Sequence, residues 1–118
     1  MLADHAEALR KHGIDYPLAI ERFGGNDELY EKLVFRILDD SHCQALHQKL
    51  EEGDAQAAYA EAHKLKGIAG NLSCVALYAA AAKVSEALRN GDLADARADL
   101  PEVDTAYQEV MDVLHELA

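Results

Sequence analysis

The sequence predicts an all-α fold: an up-down-up-down four-helix bundle with short N-terminal helices covering one end. Three observations carry that expectation. Half of the residues are apolar and alanine is abundant, while valine, isoleucine and threonine are sparse and there are only two prolines, a composition that favours helix. Four segments repeat apolar residues at three- and four-residue steps, the spacing of a buried helical stripe. Paired stop and cap signals separate them, as in Gly53-Asp54 and Asn90-Gly91-Asp92, and such short connections make neighbouring helices antiparallel. The 118 residues suffice for one domain with a real core and are too few for two. A single domain over 1–118, with its core bundle at about 26–118, is therefore expected.

The elements follow in order. Residues 2 to 12 read as a short amphipathic helix with Leu2, Ala6 and Leu9 on one side, ended by Gly13. Asp15 is placed to cap a second short helix that tolerates Pro17 in its first turn and carries Leu18, Ile20 and Phe23. Gly24-Gly25 breaks it. Asn26 caps the next helix, with Asp27 and Glu28 at the end that favours anions. Its apolar pattern continues past Asp39-Asp40-Ser41, predicting one long helix to about Glu52. Gly53 ends it, and Asp54 caps a helix over 54 to 70, with Asn71-Leu72-Ser73 as its fraying end or a tight connection. A helix from about Cys74 to Arg89 is expected to pack through Val75, Tyr78, Ala81, Ala82, Ser85 and Leu88. The last, about 93 to 117, offers Leu100, Val103, Tyr107, Val110, Leu114 and Leu117 as a bundle seam. Pro101 either kinks it or begins a new helix there.

The stretch Ala62 to Ser73 has an unusual helical wheel. Ala58, Ala62, Leu65, Ala69 and Leu72 form the buried stripe. At 100° per residue, His63 lies about 140° from its centre, Gly67 lies almost opposite it and Lys66 sits at the boundary. An exposed glycine inside a helix costs roughly 1 kcal/mol relative to alanine, and neither Gly67 nor Gly70 lies at the stripe's centre, so access explains them better than close packing. A bare backbone beside an exposed imidazole admits another protein's reactive group, and Lys66, three residues on, adds a cation to the same face. A nucleophilic nitrogen with its free base well populated near neutral pH, room for a partner and a nearby positive charge suit a phosphoryl group in transit.

At these residues the chain resembles the histidine-containing phosphotransfer (HPt) domain family, whose members carry His-x-Leu-Lys-Gly, then small residues, then often Asn-Leu-Gly. The match falls at His63, Leu65, Lys66, Gly67, Gly70, Asn71 and Leu72, with Ser73 standing where glycine is common. It extends from about Ile14 to the C-terminus. The resemblance implies that His63 accepts a phosphoryl group on Nε2 from a receiver-domain aspartate and passes it to another receiver. Lys66 would stabilise the phosphoryl oxygens, and Tyr59, Lys64, Gly67, Ile68 and Gly70 would contribute to docking. Asn71 is expected to bond free backbone groups at the helix end, and Leu72 to belong to the core. No cofactor is expected on this chain, the Mg²⁺ being supplied by the receiver. The resemblance implies response-regulator receiver domains as partners and allows for a hybrid sensor histidine kinase. Two other readings stand beside this one: a binding module that carries no phosphate, and the phosphoacceptor domain of a chemotaxis-type kinase, from which the Asn71-Leu72 ending differs.

Composition narrows the remaining classes. A net charge of −11 without a basic patch argues against nucleic acid and anionic membrane as partners. Isolated Cys43 and Cys74 form no disulfide framework, which fits a cytoplasmic chain. No apolar run reaches membrane-span length, and the N-terminus lacks a signal peptide's apolar core. Di-metal bundles use paired Glu-x-x-His motifs; Asp39-x-x-His42 and Asp112-x-x-His115 substitute aspartate and lack accompanying inward glutamates, so no metal is expected. His5, His12 and His47 read as surface residues. No phosphate-cradling glycine loop or nucleophile elbow is present, which argues against kinase activity of its own. The apolar seams are used up by one bundle, so a monomer is expected.

Overall fold

Short-range polar signals set the helix boundaries in the computed structural model, which describes residues 1–118. The carboxylates of Asp15, Asp54 and Asp92 and the amide oxygen of Asn26 each accept the backbone N–H three residues on, at 2.9–3.1 Å. They open α2 (Tyr16–Arg22), α5 (Ala55–Asn71), α7 (Leu93–Leu117) and α3 (Asp27–Phe35). A 3₁₀ turn at Leu2–His5 leads into α1 (Ala6–Lys11), and α4 (His42–Glu52) and α6 (Val75–Arg89) complete an all-helical order with no strand. Gly53, at φ 74°, closes α4 in the left-handed conformation that a glycine adopts without strain.

Helices α4 to α7 form the bundle, each packed against the next, with α7 returning to α4. At 25 residues α7 spans about 37 Å, and it sets the 42 Å long dimension of the molecule. It runs unbroken through Pro101, so a new helix does not begin there. The core is rich in alanine: Ala58, Ala62 and Ala69 of α5 and Ala81 of α6 are fully buried, bringing these helices into close approach.

The N-terminal helices cover the end of the bundle where α5 turns into α6. Asp15 N–H donates to the Ser73 carbonyl at 2.9 Å, and the Arg22 guanidinium donates to the Gly70 carbonyl at 2.9 Å. A Cβ on Gly13 would lie 2.8 Å from the Ala76 Cβ, so this contact requires glycine. The fully buried Tyr30 ring meets Tyr16 and Phe23 edge-on, at centroid distances of 6.0 and 5.3 Å, and its hydroxyl donates to the Leu72 carbonyl at 2.6 Å.

Two expectations are corrected. The single helix expected from Asn26 to Glu52 is broken: α3 ends at Phe35, Arg36–Asp39 form a 3₁₀ turn, and Asp40 is extended at φ −62°, ψ 138°. Asp40 is the cause. Its carboxylate accepts the Cys43 N–H and the Tyr107 hydroxyl, both at 3.1 Å, so it caps α4 instead of continuing a helix. The expected packing side of α6 is also rotated. Leu77, Ala80, Ala81, Val84, Ser85 and Leu88 are buried, whereas Val75 and Tyr78 are 43% and 42% exposed.

Cys43 and Cys74 are free thiols within the core, and burial pushes each up to about 12. Burial raises the Tyr30 and Tyr107 hydroxyls as well. An unfolded thiol ionises near ~8.5. Above that pH the unfolded chain binds fewer protons than the native one, so stability falls as pH rises toward the native value. Denaturant unfolding between about pH 9 and 12 is expected to show each thiol lowering stability by up to ~1.4 kcal/mol per pH unit. A flat profile there would mean that the thiols are open to water.

Candidate functional site

Helix α5 buries Ala58, Ala62, Leu65 and Ala69 completely. The same period turns His63, Lys64 and Gly67 to solvent and leaves Lys66 and Tyr59 half-buried. The Tyr59 and His63 rings stack with centroids 5.7 Å apart and planes inclined by 23°. This contact orients an imidazole that makes no side-chain hydrogen bond, whereas His12, His42 and His47 are each held, by the Ala8 carbonyl, Glu61 and Asp104 respectively. A Cβ built on Gly67, one turn beyond His63, meets nothing within 4 Å. The approach to the imidazole from that side is open.

Neither Lys64 nor Lys66 forms an ion pair. On α6, Arg89 pairs with Glu86 at 2.7 Å and holds its carboxyl below the usual range, with Lys66 contributing to the same effect. Lys66 therefore lies within electrostatic reach of α6, on the side of α5 that faces it.

The other sequence-selected residues separate. Gly70 does not provide open backbone: a Cβ there would lie 3.0–3.1 Å from the Tyr78 ring, so close packing accounts for it, contrary to expectation. Ile68 is turned about 140° from His63 around α5, being five residues on. With Asn71 it lines a cleft of about 390 Å³ against Leu33, Arg36 and Ile37, so it lies apart from the imidazole face. The Asn71 side chain is exposed and makes no hydrogen bond, correcting its expected capping role. Backbone groups close the end of α5 instead, with Cys74 N–H donating to the Ala69 carbonyl at 2.9 Å. Leu72 is buried. The exposed Tyr78 and Val75 beside Gly70 were missed because the α6 pattern assigned them to the core. His42 bonds Glu61 at 2.7 Å and Asp112 accepts from Gln108 at 2.7 Å, so neither Asp-x-x-His pair is drawn together.

Ser73 stands at φ 56° with a buried hydroxyl that has no partner. A left-handed conformation costs a non-glycine residue roughly 1–2 kcal/mol, which gives a physical reason for glycine at this position. Ser73→Gly is expected to stabilise the fold by about 1 kcal/mol, net of glycine's entropy cost, raising the melting temperature by roughly 4 °C. A lower melting temperature would mean that the hydroxyl has a bonding role.

Fold and site together define a helical bundle with an exposed histidine on α5. The chain belongs to the Hpt domain family, whose model matches residues 34–113, from the end of α3 through most of α7. Membership implies histidine phosphotransfer in two-component phosphorelays, with receiver domains and kinases as the general partners. Neither the curated proteins nor the solved structures contain a match. No helix is long and apolar enough to cross a membrane.

Proposed function

We propose that His63 is the phosphoacceptor of a phosphorelay intermediate, receiving its phosphoryl group from a receiver aspartate and delivering it to another. The observation that carries this is an exposed, ring-stacked imidazole without a hydrogen-bond partner, beside a helical glycine that opens onto solvent. The Nε2 lone pair of the neutral ring attacks phosphorus in line. The bond from phosphorus to the aspartyl oxygen breaks, and the carboxylate leaves with its electron pair. The ring's Nδ1 proton stays in place, so the phosphoimidazole carries the positive charge, and the reverse sequence restores neutral imidazole on delivery. Phosphoryl transfer depends mainly on positioning and charge stabilisation. Tyr59 orients the ring, Lys66 supplies charge to the phosphoryl oxygens and Gly67 admits the receiver, which brings the Mg²⁺.

The test is transfer from a panel of receiver domains, each charged with a small phosphodonor and Mg²⁺, to the wild type and to His63→Gln. Acid-labile, base-stable label on the wild type alone is expected. Receiver binding without label on either protein would favour a non-transferring module.

A further inference from the structure

Short connections join the successive bundle helices, but α4 and α7 meet only across space. That seam is polar. Cys43 and His47, four residues apart on α4, share one face, and Asp104 of α7 meets them. His47 Nε2 lies 2.6 Å from Asp104 Oδ1, and the Cys43 sulfur, the imidazole nitrogen and the carboxylate oxygen all lie within 4.8 Å of one another. Donors around tetrahedral zinc, bound at about 2.0–2.3 Å, stand roughly 3.3–3.8 Å apart, so small side-chain rotations close the set.

A second observation concerns charge. Asp40, which caps α4 through the Cys43 N–H, has a buried Oδ1 with no partner, a rare condition for a buried polar atom. No lysine or arginine pairs with Asp40 or Asp104. Two carboxylates therefore stand beside one buried thiol, and neither is paired with a lysine or arginine.

We propose that Cys43, His47 and Asp104 bind Zn²⁺ and that the ion pins α7 to α4. A mixed sulfur, nitrogen and oxygen set suits zinc and is unlike the all-oxygen shells of calcium and magnesium. The His47 and Asp104 side chains are 44% and 45% exposed, so the ion enters from solvent and water takes the fourth position. On binding, the Cys43 thiol releases its proton to solvent. His47 gives up its Asp104 hydrogen bond, the Nε2 proton passing through solvent to Nδ1, so that the Nε2 lone pair binds the metal. The site lies on the α4–α7 seam, apart from the His63 face, and it does not rest on the phosphotransfer reading.

The full chain, reduced, is titrated with Co²⁺ as a spectroscopic probe and with Zn²⁺ against a chromophoric chelator. One metal per chain is expected, with a thiolate-to-cobalt charge-transfer band that Zn²⁺ displaces. Zn²⁺ should raise the melting temperature of the wild type. His47→Ala and Asp104→Asn alter half-exposed side chains and keep the metal-free fold, as circular dichroism will check. Each is expected to weaken Zn²⁺ by more than the roughly 10- to 100-fold typical of a residue that merely supports a ligand. A cobalt spectrum without the thiolate band, one metal per two chains, or unchanged affinity in both variants would overturn the site.

Discussion

His63→Gln is expected to lose all base-stable, acid-labile phosphoryl label while melting within a few degrees of the wild type. The side chain is exposed and makes no hydrogen bond, and glutamine is a good helix former. The structural loss is confined to the stack on Tyr59, worth about 0.5–1.5 kcal/mol. The chemical loss is complete, because the amide nitrogen of glutamine has its lone pair delocalised into the carbonyl and is not a nucleophile here. The six histidines make this a real test, since each is a conceivable acceptor. His12, His42 and His47 are already engaged by neighbours. His5 and His115 have no glycine within a turn of them, so neither has the open backbone that flanks His63. Label persisting on His63→Gln would move the acceptor to one of those residues and remove the basis for the proposed site.

Much of the molecule is legible in its residues because the decisive signals are local. Asp15, Asn26, Asp54 and Asp92 act as caps through bonds that span three residues, and the α5 wheel places His63 and Gly67 outward because its alanine and leucine stripe is unambiguous. Long-range contacts account for what was misread. The break before α4 depends on Asp40 accepting from Tyr107, 67 residues away, and nothing in the run Asp39-Asp40-Ser41 distinguishes such a cap from a polar face. Gly70 reads as open backbone because it lies off the centre of the α5 stripe, and that wheel cannot show what α6 lays over it. The α6 helix turns Tyr78 outward over Gly70, which corrects both the expected packing side of α6 and the open backbone at Gly70. The seam of Cys43, His47 and Asp104 was invisible for the same reason, its third member lying 57 residues beyond His47.

Gly67→Glu is expected to change stability and transfer in opposite directions. A Cβ at Gly67 meets nothing within 4 Å, so the larger side chain projects into solvent. Replacing glycine inside the helix should stabilise it by about 0.5–1 kcal/mol, with a few tenths more from the i,i+3 pairing with Lys64. The same side chain places a carboxylate one turn from His63, where an anionic phosphoryl group and the receiver carrying it must approach. Like charges brought together at an interface cost several kcal/mol, and each 1.4 kcal/mol is tenfold in affinity, so transfer should fall by about 100-fold or more. Gly67→Ala separates the two effects, since its methyl gives the helix gain without the charge and with little bulk; it should melt higher and retain most of the transfer. Thermal melts and receiver-to-His63 transfer rates on the three proteins decide the matter. A Gly67→Glu protein that melts higher and still transfers at the wild-type rate would show that the receiver does not approach over Gly67, and the docking surface would have to be sought on another side of His63.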